Sequence, residues 1–506
     1  MQKINRDVLL VPIIVLGGKI ISFLFNALLG FYYGAGVISD VFIMAHTIPT
    51  ILFDGVATAL ILCYIPIQRT LSYESPEKIK DFDSNITSIS IVFSLIISAL
   101  YFVFRHQFNK MYANGFNEHM LEILDSYTAI MIWSVPFIGA CSIFRAYLQV
   151  INHKSLSSMG QIISYAILIL VLIFYPSEDL SLAWAALLGN VVCFCFFLLF
   201  ALKTGYRYRL YISFKEDYIR TIFQMILPIV FSTLVSELNS IVDKFFASYY
   251  PNGIITSLTY GYQLSFSIQG IVSTSLLLVV FPSLADKVAK KEIDGTNNLL
   301  YWCIEMIGWV VVPIIIGGII LAHPIINILF GHGNFTEQNV NTIAIVFSGY
   351  LLGVLPMCIK HVGDRLCLAM KKTNLTTIAT VVTVGLNIVL DLILKKRWGY
   401  FGLVIATDIS IFIGSVTLFF LIKKEARSIS IKKILKTMTG PFVSGSVMGI
   451  IVYIVFCSIQ KYNMWDEKTI FAVLICVLSG MISYLIIAFL MYGRRIKVLM
   501  TTLRQR

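Results

Sequence analysis

Apolar residues along this chain come in long unbroken runs, separated by short polar loops. A membrane-spanning helix needs about 20 consecutive apolar residues. Fourteen runs approach or exceed that length: 8–29, 38–67, 84–104, 121–151, 157–175, 180–202, 219–249, 254–284, 300–322, 338–366, 374–394, 400–422, 439–459 and 469–492. The pattern predicts an all-α polytopic membrane protein with 14 transmembrane helices. The first run follows Lys3 and Arg6, is too long for a signal-peptide core and lacks a small-residue cleavage site after it, so it reads as a retained span.

The pattern also repeats. Tyr33 and Pro66 each lie 216 positions before Tyr249 and Pro282, and the segment around "NALLGFYYGAGVISD" parallels "DKFFASYYPNGIITS". Arg145 and Arg365, 220 apart, occupy matching places in a second parallel pair. Spans 1–6 and 7–12 therefore read as two copies. Six is even, so both copies enter from the same side and the repeat is parallel. This predicts an N-lobe over 1–215, a C-lobe over 216–430, and two extra C-terminal helices with a tail over 431–506.

Composition agrees: the chain is 58% hydrophobic and 13% charged, against about 25% charged in soluble domains. The net charge of +12 is explained by location. Loops on the N-terminal side carry Lys203, Arg207, Arg209, Lys215, Lys287, Lys290, Lys423, Lys424, Lys432, Lys433, Arg494 and Arg495 among others. The opposite side has Arg105, Lys110, Lys395, Lys396, Arg397, Lys461 and Lys468. The bias places both termini in the cytoplasm. No aromatic–basic module points to nucleic acid. The nine cysteines lack metal or disulfide spacing. No Walker-type loop occurs, so the energy source is an ion gradient, the membrane potential or the substrate gradient.

Charged and polar residues inside the runs are the candidate chemistry. Lys19 lies about 11 residues into the first run, roughly 16 Å deep at 1.5 Å per residue. It is either a cavity cation for an anionic substrate or a lysine paired for packing. Asp40 opens the second run, as a gate residue or as an acid at a helix N-terminus. Asp243 sits in a polar seventh run beside Ser232, Ser236, Glu237, Asn239, Ser240 and Lys244. Asn387 and Asp391 share one helix face at i, i+4, and Thr407 and Asp408 follow in the next run. Oxygen ligands of this kind suit a small hard cation, so Asp243, Asn387, Asp391 and Thr407 form a candidate Na⁺ set. Arg145 and Arg365 are either cytoplasmic gate residues or positive-inside anchors. Lys360, His361 and Gln263 add polar groups at depth. No nucleophile triad or paired carboxylates indicate an enzyme.

"YYGAGVISDVFIMAHTIP", "FPSLADKVAKKE" and "DRLCLAMKKTN…GLNIVLDLIL…GLVIAT", in this order, resemble the MurJ-type lipid II flippases of the multidrug/oligosaccharidyl-lipid/polysaccharide exporter superfamily. The resemblance covers nearly the whole chain. It implies two six-helix lobes around a cationic cavity, with spans 13 and 14 forming a groove for a polyprenyl tail. The implied substrate is an undecaprenyl-pyrophosphate-linked glycan, moved from inner to outer leaflet of a bacterial cytoplasmic membrane by a monomer. Lys19 matches the family's span-1 cation and Asp40 its span-2 acid, and the Na⁺ pattern falls on Asp243, Asn387, Asp391 and Thr407.

Departures from the family pattern are Phe25, where a second arginine stands, Gln263, where span 8 has a cavity arginine, and the lack of an arginine in "IPTILFDG". The expected function is lipid II translocation by alternating access, with Na⁺ or membrane potential as drive. The alternatives are a capsule or O-antigen repeat-unit flippase and a cation-coupled drug exporter.

Overall fold

The computed structural model describes residues 6–176, 180–426, 429–461 and 465–504. Lys3, Arg427 and Arg506, and the side chains of Arg6, Ser232, Ser236, Lys468, Arg494, Arg495, Lys497 and Arg504, lie outside the described set. The described chain is helical: α1 (Arg6–Tyr33), α2 (Val37–Glu74), α3 (Ile79–Tyr112), α4 (Glu118–Met131), α5 (Ser134–Val150), α6 (Lys154–Ser157), α7 (Gly160–Phe174), α8 (Ser181–Lys203), α9 (Asp217–Ala247), α10 (Ile254–Ala289), α11 (Ile293–Ile320), α12 (Ala322–Phe330), α13 (Glu337–Ala369), α14 (Thr373–Trp398), α15 (Tyr400–Ala426), α16 (Ile431–Lys461) and α17 (Trp465–Arg504).

Every expected run falls on a helix. Among the described residues, 12 spans are long and apolar enough to cross a membrane unaided, and α10 makes 13 if its two bent parts count as one. That bend, 51°, lies between Leu277 and Val279. Pro282 accounts for it: it has no N–H for the carbonyl four residues back, at Leu278, and its ring crowds that carbonyl. The fifth run is shorter than expected. Its helix α7 has 15 residues, about 22 Å at 1.5 Å per residue. The fourth run is broken into α4 and α5 at Ile132–Trp133.

The chain divides into two compact units, Met1–Thr256 and Ser257–Arg506. The division falls inside α10, because α9 packs along α2 in the first unit. Within the first unit α3 packs on α5, α5 on α8 and α7 on α8; within the second, α11 packs on α13, α13 on α15 and α14 on α15. The same helix pairs meet at matching positions, so the sequence repeat is a repeat of packing.

The first half of α3 is unusual in burying polar residues: Asp83, Ser84, Asn85, Thr87 and Ser88. The extended segment 206–214 explains this, because it runs along α3 and needs its backbone groups satisfied. Asn85 exchanges two bonds with Ser213, accepting from its N–H at 2.9 Å and donating to its carbonyl at 2.8 Å. Ser84 Oγ accepts from the Arg209 N–H at 3.2 Å. The Tyr206 hydroxyl donates to the Asp83 carbonyl at 3.0 Å and is held by Thr87 at 2.6 Å. Burial pushes the Tyr206 phenol well above its ordinary range, so it stays a neutral donor.

In the second unit α16 lies on α11 through Gly445 and Gly449. A Cβ there would stand 2.9 Å from Val312 Cγ1 and 2.6 Å from Ile316 Cγ2. Small residues four apart let two membrane helices approach closely. α17 is tied to α11 by Tyr484, whose hydroxyl donates to the Trp309 carbonyl at 3.0 Å.

Candidate functional site: a closed end, a polar cavity and an apolar groove

The first unit begins at Lys19. On α1 one face, Gly18, Ser22, Phe25 and Leu29, is buried, at the i, i+4, i+7, i+11 spacing of a helix stripe. Gly18 lets α1 approach Gln161, which a Cβ would meet at 3.0 Å. Lys19 is exposed, off that stripe. Among the described residues it has no hydrogen-bond or ion-pair partner. Phe25 is a core residue, with ring centroids 5.6 Å from Phe42 and 5.7 Å from Tyr165. The place of a second family cation is thus an aromatic contact here.

Asp40 is 1% exposed. It accepts from the Gly253 N–H at 2.6 Å, the Thr256 N–H at 2.8 Å and the Thr256 hydroxyl at 2.6 Å. The three donors engage both carboxylate oxygens at the start of α10. The two turns that the repeat pairs meet at this point. Gly253 has φ +92°, and a Cβ on it would lie 2.4 Å from the Ala35 carbonyl oxygen. Nearby, the Gly115 N–H donates to Ser248 Oγ at 3.1 Å and Asn114 donates to the Tyr249 hydroxyl at 2.7 Å. These contacts close the end of the unit where α1, α3 and α9 finish. Asp40 therefore holds α10 to α2, and its oxygens are engaged by protein donors in this conformation.

Arg145 lines a cavity of about 270 Å³ enclosed by α2, α5, α7 and α8. Its Nε donates to the Ser157 carbonyl at 3.0 Å. Asp54, His46, Gln161 and Asn190 share the lining. Asp54 escaped the sequence reading, although a single acid inside an apolar run was the signal. Asp243 accepts from Asn239 Nδ2 at 3.2 Å, and Lys244 donates to the Thr47 hydroxyl.

In the second unit Asn387 and Asp391 are fully buried and Thr407 nearly so. Asn387 Nδ2 donates to Thr407 Oγ1 at 3.3 Å, which joins α14 to α15. Their oxygens are the donor types a Na⁺ ion takes. Asp243 belongs to the first unit and these three to the second. Beside them, Asp408 packs where Gly353 has no side chain, and a Cβ there would lie 2.3 Å from its Oδ1. Neither oxygen of Asp408 has a hydrogen-bond partner among the described side chains and backbone.

Lys360 is buried, 3.4 Å from Asp364 Oδ2 and 3.5 Å from Thr380 Oγ1. Its charge is balanced within its own helix. His361 pairs with Gln269 at 2.9 Å. Gln263 is half-buried on α10, with its carbonyl accepting from Ser267 Oγ at 2.5 Å. Arg365 is exposed, 5.8 Å from the Phe281 ring centroid. Arg145 and Arg365 thus match in the repeat but differ in surroundings.

The second unit also holds an apolar groove of about 710 Å³. Trp309, Gly317, Phe347, Met448, Gly480 and Met481 are among its walls, from α11, α13, α16 and α17. Its lining is almost wholly hydrocarbon.

A helical chain with twelve to thirteen spans among the described residues, repeated packing and charged groups inside its spans is a polytopic membrane protein. Residues 30–493 match the family model described as lipid II flippase MurJ, and the chain belongs to that family. It is similar to the probable lipid II flippase MurJ of Vibrio cholerae serotype O1, at 25% identity over 83% of this chain and 82% of that one. The Bdellovibrio bacteriovorus protein of the same description is 22% identical over 97% and 95%. Among solved structures, a lipid II flippase MurJ in an inward closed conformation superposes with a TM-score of 0.82, at 23% identity over 96% of this chain and 100% of that one. A multidrug resistance MATE family transporter shares the fold at 0.63 and 12%, over 82% and 98%.

Proposed function

We propose that the chain translocates lipid II, an undecaprenyl-pyrophosphate-linked cell-wall precursor, from the inner to the outer leaflet by alternating access. Membership of the flippase family across residues 30–493 carries this reading. A pyrophosphate needs a cation to leave water, and Lys19 is a membrane-depth cation without a protein partner among the described residues. A polyprenyl tail needs an apolar surface, and the groove beside α16 and α17 offers one. Asp40 acts as an outer gate residue, because outward opening requires its three bonds to break. Arg145 and Arg365 are assigned to the cytoplasmic gate and Gln263 to the substrate path, while Lys360 pairs with Asp364.

Asn387, Asp391 and Thr407 would hold a Na⁺ coupling ion through their oxygens. The basic loops place both termini in the cytoplasm, and the chain works as a monomer without covalent chemistry. Burial of Phe25 and pairing of Lys360 thin the anion-binding set. That favours, as a second reading, another lipid-linked oligosaccharide with fewer charges.

Complementation of a flippase-depleted strain tests the Lys19 role. Lys19→Ala is expected to abolish growth at matched expression, and Lys19→Arg to keep it. Normal growth of Lys19→Ala would sink that role.

A further inference from the structure

We infer that the first unit carries a second lipid site, specific for an anionic glycerophospholipid of the inner leaflet. An apolar groove of about 390 Å³ lies between α2, α3, α9 and the 206–214 segment, with Leu60, Ile89, Val92, Phe214, Phe223 and Leu227 among its walls. Its size falls within the roughly 300–1,000 Å³ of small-ligand sites. On α9 it runs from Ile219 to Val230, roughly 3–20 Å from the helix start at 1.5 Å per residue. That is about one leaflet of a core some 30 Å thick.

An apolar groove facing lipid would take any acyl chain, so selectivity must come from its mouth. The 206–214 segment is pinned to α3 by the Asn85–Ser213 and Ser84–Arg209 bonds. It therefore places its charges at a fixed place. Ile212 and Phe214 enter the groove lining, and Arg207 and Lys215 flank them in sequence. Arg220 shares a helix face with Phe223 and Leu227, at i, i+3, i+7. All three cations are exposed, and none has an ion-pair partner among the described residues. Arg209 is spoken for by Asp81, at 2.6 Å, and Glu216 accepts from the Tyr211 hydroxyl at 3.0 Å. Asp217 is the opposing acid at the start of α9. A net positive rim over a chain-sized groove complements a lipid with one chain in the groove and its phosphate on Arg207, Lys215 and Arg220. Juxtamembrane cations of this kind attract anionic headgroups. The assignment to the inner leaflet rests on the positive-inside orientation.

The test uses the full-length protein in nanodiscs of phosphatidylcholine with a minor fraction of brominated-chain phosphatidylglycerol or brominated-chain phosphatidylcholine. An F223W reporter is read as the quenching difference from the same protein without it. The expected result is stronger quenching by the brominated anionic lipid at equal fraction. Arg220→Gln should weaken that preference roughly fivefold, and R207Q/K215Q/R220Q should bring it to parity. Val92→Trp, which fills the groove, should remove contact with both brominated lipids. Equal quenching by the two lipids with the cations intact overturns the proposal. So does a preference unchanged in the triple variant, or displacement of the anionic lipid by a lipid-linked pyrophosphate glycan, which would give the groove to the transported substrate. The readout is binding, so it stands or fails separately from translocation.

Discussion

Asp40→Ala should open the closed end of the first unit. The substitution leaves two buried N–H groups, of Gly253 and Thr256, without the carboxylate they now meet at 2.6 and 2.8 Å. A buried donor left unpaired costs about 1–3 kcal/mol, and loss of a helix cap alone costs about 0.5–2 kcal/mol. Two orphaned donors thus destabilise the closed arrangement by roughly 2–4 kcal/mol once water reaches one of them. At about 1.4 kcal/mol per factor of ten, this shifts the closed-to-open ratio by roughly 30- to 1,000-fold. Ala35 reports the change, because it is buried under Gly253. A single cysteine at Ala35, in a background without the nine native cysteines, is labelled with a membrane-impermeant maleimide from outside. Asp40→Ala should raise the labelling rate strongly and Asp40→Asn less. Thr256→Val, which removes only the 2.6 Å hydroxyl bond, should raise it least, by about 1 kcal/mol of equilibrium. Equal labelling rates in all four proteins, with folding intact by thermal melt, would show that Asp40 does not hold this end closed.

Three further outcomes follow from the second unit. Gly317→Leu should block the apolar groove while the protein still folds, since the nearest neighbour of a Cβ there is Met448 Cε at 3.9 Å; translocation should fall several-fold at unchanged yield, and an unchanged rate would remove the groove from the substrate path. Gly353→Ala should destabilise the protein by about 1–3 kcal/mol, because the new methyl meets Asp408 Oδ1 at 2.3 Å; a thermal melt reads this, and the smaller Asp408→Ala side chain in the same protein should restore part of the loss. Asp391→Asn should abolish any Na⁺ dependence of translocation while leaving the thermal melt within a few degrees; a Na⁺ response equal to that of the unaltered protein would exclude the proposed ion site.

The helices were legible because each apolar run is long and its polar interruptions short, and the repeat was legible because Tyr33/Tyr249 and Pro66/Pro282 keep one spacing. Helix breaks were less so. Pro136, which has no N–H for the Ile132 carbonyl, stands beside the break at Ile132–Trp133, but prolines also lie inside unbroken helices, as Pro49 does in α2, so the break did not follow from sequence. Site residues divide by the range of their partners. Lys360 could have been read as paired, since Asp364 lies one turn on. Asp40 could not be tied to Gly253 and Thr256, which lie more than 200 residues away and meet it only because two turns dock. Phe25 marked a departure from the family's charges, but its place in an aromatic contact with Phe42 and Tyr165 depends on how α1 packs on α7. The buried polar face of α3 has no reason in the apolar pattern. It is the seat of the 206–214 segment, whose own alternation of cations and large apolar residues is explained only once that seat is seen.

A flippase of this kind must move a pyrophosphate-linked lipid without any other protein. Purified protein reconstituted in liposomes with lipid II confined to the inner leaflet tests it most directly, with an external glycan-modifying reagent reporting arrival at the outer surface. The expected result is time-dependent arrival that Lys19→Ala abolishes and Lys19→Arg retains. Arrival at the rate of protein-free liposomes, or at an equal rate with Lys19→Ala, would contradict it.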